Sequence, residues 1–257
     1  MVAPEDNLAT IGALGVLAYT SADVGHHVLG HGAACLVAGG HIASLSSVFV
    51  DCSIRGASID LAGPFANLVI GLTAMLLLWV VRRASAPARL LLVLAAAFNL
   101  LWFASQVAFS AAARTDDWAS AMRQLHVSEP TRYLVVAFGV SAYLLTLRAV
   151  AVWLAPFAKS RRRATAIALT AWLAAGCLAC VTAIFDHHAT TAPLWHAVLQ
   201  SLGTSLGLLF VPARAARLSS RGSAEPRLAF SIGWLIAAAV LSTLSVLLLG
   251  PGIAVRV

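Results

Sequence analysis

The 257-residue chain is expected to be all-α: a polytopic transmembrane bundle of about seven spans, with a small surface hairpin after the first helix. Three observations predict this. Hydrophobic residues make up 60% and charged residues 11% of the chain, whereas a soluble domain carries about 25% charged residues. Apolar runs recur along the whole sequence at about the 20-residue length that crosses a bilayer. Basic residues cluster in alternate connections, as cytoplasmic loops do.

The spans follow in order. The first runs over about 8–37 and is unusually polar in its second half. The second covers about 61–81, "LAGPFANLVIGLTAMLLLWVV". The third, about 87–112, opens at Pro87, a residue that suits a first helical turn. The remaining four lie at about 132–154, 165–185, 194–212 and 228–249. Segment 40–60 alternates β-branched and polar residues in "SLSSVFVDCSI" and reads as a short hairpin at the membrane surface. Segment 113–131 is a second sizeable loop on that side. The whole chain reads as one integral membrane domain, 1–257, with no repeat and no separate soluble unit. "MVAPEDN" has no basic stretch before the first apolar run, so that run is expected to be retained rather than cleaved.

Orientation comes from the loops. Arg82, Arg83 and Arg89 lie between spans two and three. Lys159, Arg161, Arg162 and Arg163 lie between four and five, and Arg214, Arg217, Arg221 and Arg227 between six and seven. The alternate loops hold mainly Arg55, Arg114 and Arg123. The expectation is an integral membrane protein, of a bacterial inner membrane, with its N-terminus cytoplasmic. The formal charge of +7 is thereby accounted for by membrane topology, and nucleic acid is not expected as a partner. Membrane lipid is.

Chemistry concentrates in "GHHVLGHG", residues 25–32. On an α-helix His27 and His31 share one face. Two neutral imidazoles there can take two corners of a tetrahedral zinc site. Cys35 continues that face, and His26 and Asp23 lie nearby. Ionisable groups inside a span are costly and point to function. The four cysteines, Cys35, Cys52, Cys177 and Cys180, set no disulfide framework; the C-x-x-C of Cys177 and Cys180 reads as helix packing. His41 and Cys52 are minor alternative ligands. "FDHHATTAPLWH" places Asp186, His187, His188 and His196 in and after a loop on the same side, more simply a solvated loop than a site.

The run "HHVLGHGAACLVAGGHIASL" resembles the motif-bearing helix of the site-2 protease family of intramembrane zinc metallopeptidases, at His27, Gly30, His31, Ala34, Gly39 and Gly40. "AGPFANLVIG" resembles that family's G-P-x-x-N element, with Gly63 and Pro64 at a tight helix start and Asn67 supporting substrate or helix packing. "FNLLWFASQVAFSAAARTDDW" resembles its third element more loosely, lacking the P-x-x-x-L-D-G pattern. The resemblance covers a core of about 8–118; the helices of 131–250 resemble nothing. It implies Zn2+ as cofactor, His27 and His31 as ligands with Asp116 or Asp117 as the third, and a membrane-protein or peptide substrate. All three elements fall on the outer side, whereas many relatives hold the site toward the cytosol.

One departure is chemical. The glutamate of H-E-x-x-H is the general base of such enzymes, and its position in this chain is Val28. The only glutamates are Glu5, Glu129 and Glu225, none in the core. Asp23 and His26 are weak candidates to replace the base. Asp60 and the non-ligand member of Asp116 and Asp117 are others. Three readings stay open: a zinc peptidase, a catalytically inactive pseudoprotease-like protein that binds a client helix with or without zinc, and a metal or haem carrier using His26, His27, His31 and Cys35.

Overall fold

The computed structural model describes residues 6–81, 83–186, 191–219 and 226–255. Among these described residues, seven helices are long and apolar enough to cross a membrane. They are α1 (Leu8–Val37), α2 (Ala57–Val80), α3 (Ala86–Ala113), α5 (Glu129–Phe157), α6 (Arg161–Ile184), α7 (Leu194–Leu218) and α8 (Ile232–Leu249). A short helix, α4 (Asp116–Gln124), occupies the segment that the sequence suggests is a loop. Strands β1 (Ile42–Leu45), β2 (Val50–Cys52) and β3 (Ile253–Val255) form a small antiparallel sheet in the order β2-β1-β3.

Local chemistry sets the helix ends. The Asn7 side chain accepts from the Thr10 amide at 2.8 Å and starts α1. Gly39, at φ +83°, supplies the left-handed residue that follows α1. Helix α2 begins earlier than its apolar run suggests, so Gly63 and Pro64 lie in its second turn rather than at its start. Pro64 is thus inside the helix, where it removes the amide that would bond the Asp60 carbonyl.

α1 and α3 form the enclosed centre, whereas α5 and α8 expose apolar side chains such as Phe138, Leu145 and Ile236. Such faces suit lipid, which asks no polar contact of them. Within the centre, Tyr19 stacks on Trp102 with ring centroids 6.1 Å apart. The two ends of the bundle differ. At the N-terminal end the Asn7 amide donates to Leu228 O at 2.8 Å, and Arg163 pairs with Asp6 and donates to Pro226 O at 2.8 Å. At the opposite end lie the sheet, α4 and the polar half of α1.

Ile42 pairs with Cys52 on one side and Val255 on the other, so the hairpin is joined by a strand that the sequence reading does not contain. The structure also corrects the cysteine reading. Cys35 and Cys52 form a disulfide across a separation of 17 residues, tying the end of α1 to β2. The turn at Gly39 and Gly40 folds the strand back over the helix; a Cβ on Gly40 would lie 3.0 Å from each sulfur. Cys177 and Cys180 are free thiols on α6.

Candidate metal centre

The decisive local feature is a π-helical turn, Gly25–Gly32, inside α1. A π turn bonds residue i to i+5 and accommodates one extra residue per turn. An α-helix would put His27 and His31 on one face; the π turn puts His26 and His31 there instead. Their Nε2 atoms lie 3.2 Å apart. Asp117 Oδ2, from the start of α4, lies 3.1 Å from His26 Nε2 and 3.4 Å from His31 Nε2. His26, His31 and Asp117 are the group that could hold a metal ion.

Two glycines permit this approach of α1 to α2. A Cβ on Gly30 would come within 2.5 Å of the Gly63 Cα, and one on Gly63 within 2.3 Å of His31 Nε2. Gly63 therefore does belong at the site, by leaving room for a ligand.

Both imidazoles are held in one tautomer. His26 Nδ1 meets Asn67 Oδ1 at 2.7 Å, and Asn67 Nδ2 donates to Ala22 O at 2.9 Å and to Asn99 Oδ1 at 3.0 Å. The oxygen of Asn67 thus faces His26 as an acceptor. His31 Nδ1 meets the Ile59 carbonyl at 2.8 Å. Each Nδ1 must carry a proton, which leaves each Nε2 a lone pair aimed at the other and at a carboxylate. Three such acceptors repel unless a proton or a metal cation sits among them. A tetrahedral ion with ligands at about 2.0–2.1 Å separates them by about 3.3 Å, matching the separations of 3.1, 3.2 and 3.4 Å. Outer hydrogen bonds of this kind orient metal-binding histidines.

The carboxylates differ. Burial alone would raise the Asp117 carboxyl, but the facing His31 and His26, in their protonated forms, outweigh it and hold it well below the usual carboxylate range, so that positive charge is what this carboxylate is placed to meet. Its Oδ2 is buried and accepts no conventional hydrogen bond. Burial, and then the neighbouring Asp117, push the Asp116 carboxyl up. Asp116 Oδ2 accepts from Gln106 Nε2 at 2.9 Å and stays outside the group.

The other residues singled out in the sequence have different surroundings. His27 is not in the three-residue group, although its ring lines the same cavity: its Nδ1 lies 3.1 Å from Asp23 Oδ1 and 3.2 Å from Asp23 O. Val28 packs against the cluster of Cys35, Ile42, Leu45 and Leu249. Cys35 and Cys52, being disulfide-bonded, offer no thiolate. His41 is exposed in the turn before β1. The His196 ring contacts Phe49 at a centroid distance of 4.9 Å. His187 and His188 lie outside the described residues. The π turn has no clear signature in "GHHVLGHG" beyond its two flanking glycines, so His26 is hidden from a reading at α-helical spacing.

A cavity of about 290 Å³ opens over the centre. All three histidines line it, with Asp116, Asp117 and residues 48–52 of the hairpin. Its rim carries Arg55, and Asp60 there accepts from Gln124 Nε2 at 2.7 Å. No family model matches the chain, and neither a curated protein nor a solved structure is recognisably similar to it.

Proposed function

We propose that this protein is an intramembrane zinc metallopeptidase that hydrolyses peptide bonds of membrane-associated substrates. The observation that carries the reading is the convergence of His26 Nε2, His31 Nε2 and Asp117 Oδ2 at tetrahedral spacing beneath a polar cavity, at one end of a bundle with seven apolar helices. Three protein ligands leave a position for substrate or water, which is the arrangement of catalytic rather than closed structural zinc sites. Zinc bound there would act as a Lewis acid and acidify water. Asn67 and the Ile59 carbonyl orient the imidazoles, and Gly30 and Gly63 let α1 and α2 close around them. The resemblance of "HHVLGHG" and "AGPFANLVIG" to site-2 proteases supports the same reading, with the first ligand moved from His27 to His26 and His31 kept.

The site opens, in this proposal, on the side opposite the cytoplasm. Basic residues such as Arg83, Lys159, Arg161 and Arg214 favour a cytoplasmic position for the N-terminal end. The Cys35–Cys52 disulfide beside the cavity supports an oxidising compartment at the other. A second reading, a non-catalytic protein that binds a client helix on the same core, is favoured by the absence of glutamate, among the described residues, from the cavity lining.

Metal content of the purified full chain tests the proposal. About one zinc per chain, together with cleavage of transmembrane peptides that a chelator abolishes, is expected. Zinc without cleavage over a broad peptide panel supports the second reading. A well-folded chain without zinc refutes the metallopeptidase.

A further inference from the structure

We propose that His27, held by Asp23, is the proton-accepting group of this centre and takes the place of the missing glutamate. The inference rests on the metallopeptidase reading above. It takes His26, His31 and Asp117 as the ligand set from that reading.

Asp23 and His27 are both buried, at 3% and 2% exposure, within a membrane span. A carboxylate at such a place is expensive, and Asp23 is not part of the metal-holding group. Its carboxylate and its carbonyl both face His27 Nδ1, at 3.1 and 3.2 Å. Nδ1 therefore carries the proton, and Nε2 keeps a lone pair with no hydrogen-bond partner among the described residues. The ring lines the cavity, 4.8 Å by centroid from His26 and 6.4 Å from His31. An imidazole whose far nitrogen is fixed by a buried carboxylate is the standard construction of a general base.

Other bases fit less well. Val28 faces the sheet. Glu129 sits on the surface between Arg114 and Arg132. Asp116 and Asp60 already accept from Gln106 and Gln124. The π turn accounts for the substitution: with His26 as a ligand, the residue that follows it is His27 rather than Val28.

The step is simple. An O–H bond of a water in the cavity breaks, and the proton passes to His27 Nε2. The electron pair stays on oxygen, and Asp23 stabilises the imidazolium through Nδ1–H. His27 is the catalytic residue and Asp23 a positioning residue.

Acetohydroxamate, a zinc chelator that must shed a proton as it binds, tests this without knowledge of the substrate. The full chain is loaded with Co2+, and acetohydroxamate affinity is read from the visible spectrum beside metal content and a thermal melt. His27→Ala and His27→Gln are expected to keep about one metal per chain and lose at least about tenfold in affinity, the low end for removing one hydrogen bond to a charged group. His27→Glu is expected to restore affinity, which no packing role would do. Asp23→Asn should fall between. Unchanged affinity in folded, metal-loaded His27→Ala and His27→Gln overturns the proposal and leaves the metallopeptidase standing. Metal lost from both His27 variants but kept in His26→Ala overturns it by making His27 a ligand. A metal-free wild type refutes the underlying reading itself.

Discussion

The two ends of this bundle are built by different rules. At the N-terminal end the described helices keep α-helical geometry or tighten into 3-10 turns, at Ala155–Phe157 and Leu206–Phe210; Asn7 and Ser160 cap them and the Asp6–Arg163 pair joins them. At the site end four spans leave α-helical geometry in π turns: Gly25–Gly32 in α1, Gln106–Ser110 in α3, Leu199–Gly203 in α7 and Ser245–Leu249 in α8. Three of these turns bring polar side chains to or beside the cavity: His26 and His31, Gln106 through Asp116, and Gln200. The fourth carries Leu249, whose carbonyl accepts from the Ser47 amide under the hairpin. Regular helices carry the apolar span, and irregular ones aim its polar residues.

The sharpest break of this comparison is at the ligands. His26→Ala, His31→Ala or Asp117→Asn should each lower zinc affinity by more than about 100-fold, beyond what a residue that only orients a ligand commands. Isothermal titration on the purified variants measures it. Asn67→Ala should cost about 10–100-fold, because His26 loses the acceptor that fixes its tautomer; the same titration reads it. Cys35→Ser with Cys52→Ser should change affinity by less than about tenfold, since neither touches a ligand. It should lower stability by about 3 kcal/mol, the chain-entropy value for a loop of this length, as seen in denaturant unfolding. At the regular end, Asp6→Asn should leave zinc affinity unchanged and cost about 1.5–3 kcal/mol of stability, the range for hydrogen bonds to charged groups. A loss of metal in that variant would break the separation of the two ends.

The same contrast explains what was legible in the sequence. Seven spans could be read because length and apolar content suffice to define them, and their boundaries depend only on where polar residues begin. The hairpin could be read from its alternation. His31 and Asp117 stood among the candidates, and both are in the group that could hold a metal. His26 stood beside His31 only in the metal- or haem-carrier reading and not among the zinc ligands, because spacing arguments assume 3.6 residues per turn and the π turn does not obey it. Strand β3 was hidden for another reason: its three residues pair with β1 at the far end of the chain, and so short a segment has no period. The disulfide was hidden likewise, since only the fold of the glycine turn brings Cys35 to Cys52.

That late strand has a consequence for how the protein is made. The roof of the cavity is a sheet whose β1 edge is closed by residues 253–255. Those residues emerge from synthesis only after the seventh span, so membrane insertion must be complete before the roof can close. Until then β1 presents an open edge, and the histidines of α1 wait in the membrane beneath an unfinished cover. A nascent chain thus leaves the sheet beside the cavity incomplete until all seven apolar helices have been made, so the order of biosynthesis sets the order in which this end is finished.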